Sequence, residues 1–245
     1  MNPLMTLWLG VRATIFWIGF AGSTIVCGII APLFLLLPYK TSYPLVRFYS
    51  WFNIWWLGLS CGLKYQVIGK ENIPTDEPIV IMANHQSTWE TLAFAGIFPP
   101  LTWVLKRELL FIPFFGWGLG LIRAIAIDRK SGKSAMRQVK TQGKERLDSG
   151  TSLVIFPEGT RVKKGKTIPY KKGGAVLAAH AQKNVLPVVH NSGEFWPRHS
   201  YIKIPGTITV KIGKVINTQG LDVDEILEQV KTWIDTEKKK LVKVD

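Results

Sequence analysis

The segment Asn84-His85-Gln86-Ser87-Thr88-Trp89-Glu90 places an imidazole and a carboxyl five positions apart, directly after the apolar run Ile79–Ala83. An imidazole titrates near pH ~6.5 and can take a proton from an alcohol at neutral pH. A carboxyl across the first turn of a following helix could bond the far ring nitrogen, fix the tautomer and stabilise the imidazolium that forms. His85 and Glu90 read as a general-base dyad waiting for a substrate hydroxyl. The same letters fit a capping box, Ser87-x-x-Glu90, in which Glu90 bonds backbone at a helix start. Ser87 as a nucleophile served by His85 is disfavoured: there is no G-x-S-x-G elbow, and the two residues are too close in sequence for productive geometry.

A second cluster is Phe156-Pro157-Glu158-Gly159-Thr160-Arg161, again at the end of an apolar run. Arg161 offers a planar, permanently charged fork suited to phosphate or carboxylate, and Gly159 allows close backbone approach to a ligand. Glu158 could accept from a substrate hydroxyl or hold Arg161. The plain alternative is a turn with a surface Glu–Arg pair, which contributes little. A third cluster joins Lys106-Arg107-Glu108-Leu109 to the aromatic run Phe111–Gly118. Cations beside an apolar slot suit an amphiphile with an anionic head and an alkyl tail, although the same run also reads as core packing. His180, His190 and His199 lack ligand-like spacing and are assigned to packing or surface, and no metal-site motif is present. Cys27 and Cys61 lie in apolar surroundings and make neither a disulfide framework nor a zinc site.

These clusters need elements to hold them. Short β-rich runs at Tyr65–Ile68, Ile79–Ala83, Leu101–Leu105, Ile122–Ile127, Leu153–Phe156 and Val185–His190 alternate with helical stretches at Thr88–Ile97, Ser134–Leu147 and Gly174–Gln182. The rhythm predicts an α/β fold with a mixed, largely parallel sheet flanked by helices. Gly143 weakens the second helix. The stretch Ile202–Ile216 reads as one or two edge strands, and Asp222–Lys240 as an amphipathic closing helix ended by a basic tail.

Charge divides the 245 residues in two. All 17 acidic side chains follow residue 63, whereas the first 63 residues carry only Arg12, Lys40 and Arg47. The uncharged run Ala13–Tyr39 would extend roughly 40 Å as a helix against ~30 Å of bilayer hydrocarbon. The run Phe48–Leu63, rich in Trp, reaches only about 24 Å and suits an interfacial or re-entrant helix. Residues 1–63 therefore read as hydrophobic membrane-anchoring helices, either a span or a single-leaflet hairpin, and 64–245 as the working domain. That domain is basic, with a dense loop at Arg161–Lys172, and basic residues beside apolar segments imply the cytoplasmic face of the inner membrane. No nucleic-acid-binding motif is present, so a lipid surface explains the charge better.

Together the blocks resemble the glycerolipid acyltransferase family, specifically its bacterial 1-acyl-sn-glycerol-3-phosphate acyltransferases. NHQSTWE is similar to the family's NHx4D block, KRELLFIPFFG to its second, FPEGTR to its third and Val185-Leu186-Pro187-Val188 to its fourth. The resemblance covers residues 64 to about 215. It implies a glycerol-3-phosphate acyltransferase-like fold and transfer of a fatty acyl group from acyl-ACP or acyl-CoA to the sn-2 hydroxyl of lysophosphatidic acid, with no further cofactor. By the same resemblance His85 is the base, Glu90 orients it, Lys106 and its neighbour Arg107 together with Arg161 bind the acceptor phosphate, and Glu158, Gly159 and Thr160 line the acceptor site. The family usually has Asp where this chain has Glu90, one methylene longer. Related enzymes with the same blocks acylate other lyso-lipids such as lyso-ornithine lipid, and a non-catalytic protein binding anionic lipid is the remaining alternative.

Overall fold

In the computed structural model, which describes residues 2–241, the alternating runs build one seven-stranded sheet. The strands are β1 (Leu63–Ile68), β2 (Val80–Ala83), β3 (Leu101–Lys106), β4 (Ile125–Ile127), β5 (Ser152–Ile155), β6 (Val185–His190) and β7 (Gly206–Ile212), in the spatial order β1-β7-β6-β2-β5-β3-β4. Every neighbouring pair is parallel except β6 with β7. Strands covered on both faces should be apolar without alternation. β2, β5 and β6 are buried at every position.

Eight helices flank the sheet among the described residues: α1 (Pro3–Phe34), α2 (Tyr39–Cys61), α3 (Trp89–Ile97), α4 (Phe115–Leu121), α5 (Lys133–Asp148), α6 (Gly173–Ala181), α7 (Ser192–Phe195) and α8 (Val223–Leu241). One core layer joins the sheet to α1–α4, and the other joins it to α5, α6 and α8. The mixed sheet flanked by helices is thus the architecture the sequence predicts. Two elements differ. The stretch Ile202–Ile216 forms a single interior strand, because β1 pairs along all of Leu63–Ile68 with Gly206–Lys211 and takes the edge itself. The strand expected over Ile122–Ile127 shrinks to its last three residues, since Ile122–Ala124 turn the chain after α4, with Arg123 at φ 49°. Gly143 does not interrupt α5. A Cβ there would come within 2.7 Å of a Leu177 methyl, so the missing side chain lets α5 and α6 approach, and packing offsets a propensity cost of ~1 kcal/mol. The basic tail beyond Lys240 lies, apart from Leu241, outside the described residues.

α1 has 32 residues, about 48 Å at ~1.5 Å per residue. By length and composition it is the one helix among the described residues able to cross a membrane, and its outward apolar side, with Leu7, Trp8, Ile18 and Leu33 exposed, fits a membrane location. Its inner side, with Leu9, Ala13, Phe16, Gly28 and Ala31 buried, packs on α2 and α4. Gly19 meets the Trp56 indole and Gly28 the backbone of Phe114, contacts that any side chain would block. α2 starts at Tyr39, so the Trp-rich run is only part of a 23-residue helix. Its buried polar side chains are bonded: Ser50 Oγ donates to the Leu92 carbonyl at 2.6 Å and Asn53 to that of Tyr49 at 2.8 Å.

Lys203 docks against α1. It is 1% exposed, and its ammonium lies 3.7 Å from the ring centroid of Trp17, 4.7 Å from Trp196 and 4.8 Å from Phe16, while donating to the Tyr201 carbonyl at 2.7 Å. Ring faces attract the cation. Burial nevertheless pushes its pKa down to about 7, with the nearby Cys61 opposing. Unfolded, the same group holds its proton to pH ~10.4. The folded protein therefore binds fewer protons between these values, and stability should rise with pH from about 7 to about 10. Thermal unfolding across that window should show the rise in the wild-type protein and a flatter curve in Lys203→Met; equal slopes would refute the assignment.

Candidate active site

Four adjacent parallel strands, β6, β2, β5 and β3, end at the same edge of the sheet, the side where open α/β folds place ligands. Three of the sequence blocks reach this edge, with Asn84 and His85 after β2, Phe156 to Arg161 after β5, and Lys106 at the end of β3; the fourth, Val185–Val188, lies within β6, whose end at His190 leads on to Ser192. Asn84 ties two of these ends together. Its side-chain amide donates to the His190 carbonyl and its oxygen accepts from the His190 N–H, each at 2.9 Å.

His85 is held on all sides. Its backbone N–H donates to Glu158 Oε2, and its carbonyl accepts from the Val162 N–H at 2.7 Å. The imidazole stacks on the Phe156 ring at 4.1 Å with 10° between the planes. Its Nδ1 lies 2.8 Å from Glu90 Oε1. That carboxylate oxygen accepts, so Nδ1 carries the proton and Nε2 keeps a free lone pair. The ring remains 14% exposed whereas Glu90 is fully buried. Burial would raise the Glu90 pKa, but His190, His85 and the Ser87 amide outweigh it and hold the carboxyl at about 2. Glu90 is therefore an anion whose charge faces the imidazole.

The two sequence readings of Glu90 coexist. Oε1 accepts from the Gln86 and Ser87 backbone N–H groups, each at 2.8 Å, and from His85 as well. Capping the start of α3 and orienting the imidazole are one arrangement. Ser87 itself accepts from the Trp89 N–H at 3.0 Å through its Oγ, as a turn residue does.

Beside the imidazole lies a cavity of about 270 Å³. His85, Thr88, Lys106 and Arg161 line it together with apolar walls from α1, α2, β3 and α4, among them Phe20, Tyr49, Trp103 and Phe115. Arg161 donates to Thr88 Oγ1 at 3.0 Å. Lys106 pairs with Glu108 at 2.9 Å, both half-exposed, so the ammonium is available to a ligand at small cost. Arg107 and Thr160 are exposed and stand outside the cavity wall, as do Glu158 and Gly159. Glu158 reaches neither the cavity nor Arg161. It is 3% exposed and grips the His85 backbone with one oxygen, while the other lies 3.5 Å from Lys238 of α8. Burial raises its pKa, against the pull of the His85 amide and Lys238. Gly159 takes φ 66° in the turn that brings Arg161 round, where a Cβ would also crowd Lys171.

Asn84 stands in the first block without a chemical role of its own in the sequence. His190, expected in packing or at the surface, is fully buried and packs through hydrogen bonds to Asn84. Ser192 had no local signal, since only the tertiary fold brings it to Glu90 Oε2 at 2.9 Å. Among the described residues no group of three or more His, Cys, Asp or Glu could hold a metal ion.

The Acyltransferase family matches residues 64–191, the span from β1 to the end of β6. A 1-acyl-sn-glycerol-3-phosphate acyltransferase of Pseudomonas aeruginosa is 42% identical over 232 residues, covering 91% of this chain and 89% of that protein. The protein of the same name from Saccharomyces cerevisiae is 33% identical over 175 residues, which are 69% of this chain and 57% of the yeast protein. In fold, the crystal structure of the 1-acyl-sn-glycerophosphate (LPA) acyltransferase PlsC from Thermotoga maritima agrees with a TM-score of 0.81 over 98% of both chains at 23% identity. A matched domain that ends its strands on a His–Glu pair beside an apolar cavity leaves one conclusion: the chain belongs to the acyltransferase family, and it is an enzyme of acyl transfer.

Proposed function

We propose that the enzyme transfers a fatty acyl group from acyl-ACP or acyl-CoA to the sn-2 hydroxyl of 1-acyl-sn-glycerol-3-phosphate, giving phosphatidic acid. The single observation that carries this reading is the His85–Glu90 pair, 2.8 Å apart, opening on a cavity that has Lys106 and Arg161 on its polar side and apolar walls elsewhere. An anionic head and an alkyl tail match those two linings. The names of the relatives point to the same acceptor.

In the proposed reaction the Nε2 lone pair takes the proton of the acceptor hydroxyl as its oxygen attacks the thioester carbonyl. Glu90 stabilises the imidazolium. The tetrahedral intermediate then collapses, the C–S bond breaks, and the leaving thiolate takes the proton from His85. The balance needs no covalent acyl-enzyme and no cofactor beyond the thioester. The basic segment Arg161–Lys172 meets acidic acyl carrier protein or anionic headgroups, and the active face is turned to the cytoplasmic leaflet of the inner membrane.

Purified full-length protein, assayed with labelled lyso-lipids and both thioester donors, tests this. Turnover is expected with lysophosphatidic acid above lyso-ornithine lipid. A preference for a phosphate-free acceptor would reject the acceptor assignment, and absence of turnover with every pair would favour a lipid-binding role. Arg161→Gln should raise KM for the phosphate-bearing acceptor about 10- to 100-fold, the worth of one hydrogen bond to a charged group. A phosphate-free acceptor should change little. Equal losses on both would remove Arg161 from phosphate binding.

A further inference from the structure

Glu90 has one more torsion than an aspartate, and its two oxygens are held very differently. Oε1 receives three donors, His85 Nδ1–H and the N–H groups of Gln86 and Ser87. Oε2 points the other way, across the end of the sheet, and its hydrogen-bond partner is the hydroxyl of Ser192 at 2.9 Å. Ser192 is fully buried at the start of α7, two residues beyond β6. Its Oγ also lies 3.0 Å from Nδ1 of His190, and its backbone N–H donates to that nitrogen at 3.4 Å. His190 is locked in turn. Its Nε2 faces the Asn84 carbonyl at 2.8 Å, an oxygen that only accepts, so Nε2 carries the proton. Burial lowers the pKa of this imidazole, with Glu90 and the Asn84 carbonyl opposing. The titratable groups that face Glu90 are therefore His85 on one side and His190 on the other.

We propose that Ser192, whose backbone N–H is held by His190 Nδ1, is a positioning residue of the catalytic dyad: its hydroxyl anchors Glu90 Oε2 so that Oε1 meets His85 Nδ1. The proposal rests on the reading of His85 as the base. Without an anchor on Oε2 the carboxylate can rotate about its last bond and carry Oε1 away from the imidazole. This anchoring does not touch the acceptor, because Ser192 and His190 stand outside the cavity wall.

Ser192→Ala and Ser192→Cys, made in the full-length protein, separate this role from plain packing, since Cys keeps the volume and donates poorly. Both are expected to lower kcat about 10- to 100-fold, the value of one charge-assisted hydrogen bond, with KM for the acceptor within about twofold. Wild-type kcat in Ser192→Cys, or a fall in kcat matched by a comparable rise in KM for the acceptor, would overturn the proposal; should Ser192→Ala fail to fold, Ser192→Cys decides alone. His85→Ala is run beside them. If it keeps wild-type turnover, the base reading falls and this inference with it. If it is inactive while the Ser192 variants behave as wild type, only the role of Ser192 is lost.

Discussion

His85→Ala is expected to lose ~10²- to 10⁴-fold in kcat, the usual contribution of a positioned general base, while the protein stays membrane-associated. The ring is the one group at the cavity with a free nitrogen lone pair and a carboxylate behind it. Its removal leaves the backbone clamp of Glu158 and Val162 untouched, because both bonds go to main-chain atoms. Glu90→Gln should follow with a loss of ~10²-fold or more. A Gln oxygen can still cap α3 by accepting from Ser87 and Gln86, yet it brings no charge to an imidazolium. The pair is checked by kcat in a detergent or vesicle assay together with vesicle flotation. Full activity in Glu90→Gln would mean that the carboxyl only caps the helix, and loss of flotation in His85→Ala would mean that the protein, not the chemistry, had been damaged.

The second large effect concerns Glu158, whose motif suggests contact with substrate and whose geometry suggests otherwise. Glu158→Ala removes the acceptor of the His85 N–H and the partner of Lys238, which is itself mostly buried. Breaking a buried pair costs roughly 3–5 kcal/mol, and the residual exposure of Lys238 places this case near the lower end, about 3 kcal/mol. For a chain of this size that is a fall of about 6–12 °C in Tm. Activity should drop through kcat, since the segment carrying His85 loosens, with KM for the acceptor nearly unchanged. Glu158→Gln, which still accepts from His85 but no longer pairs with Lys238, should fall between the two. A raised KM with an unchanged Tm would restore the substrate role. The stability of this clamp depends on α8, whose Lys238 lies 80 residues beyond Glu158, so the closing helix acts on the segment carrying His85.

Much of this enzyme could be read from the letters because the relevant physics is local. Apolar runs of four to six residues punctuated by Gly, Pro and polar turns are how buried parallel strands are written, and β2, β5 and β6 fall within about a residue of where they are expected. The His85–Glu90 spacing spans a single helix start, so their contact depends on nothing beyond that turn. The order of charge along the chain separates residues 1–63 from the rest without any knowledge of packing.

Other features follow from long-range pairing, which leaves no mark on any single segment. That β1 covers β7 and turns an expected edge into an interior strand depends on contacts about 140 residues apart. Glu158 looks like a ligand of substrate in its hexapeptide, and becomes a backbone clamp only because β5 lies beside β2. Ser192 and His190 acquire a role because β6 lies on the other flank of β2, with Asn84 bonding the two ends. What the sequence determined by itself is the set of candidate chemical groups, the strands that carry them and the apolar leader, all functions of residue type and short-range period. The tertiary structure decided which of those groups face the cavity and which hold the others still, since hydrogen-bond partners across a sheet are chosen by strand order and register, and these are properties of the whole chain.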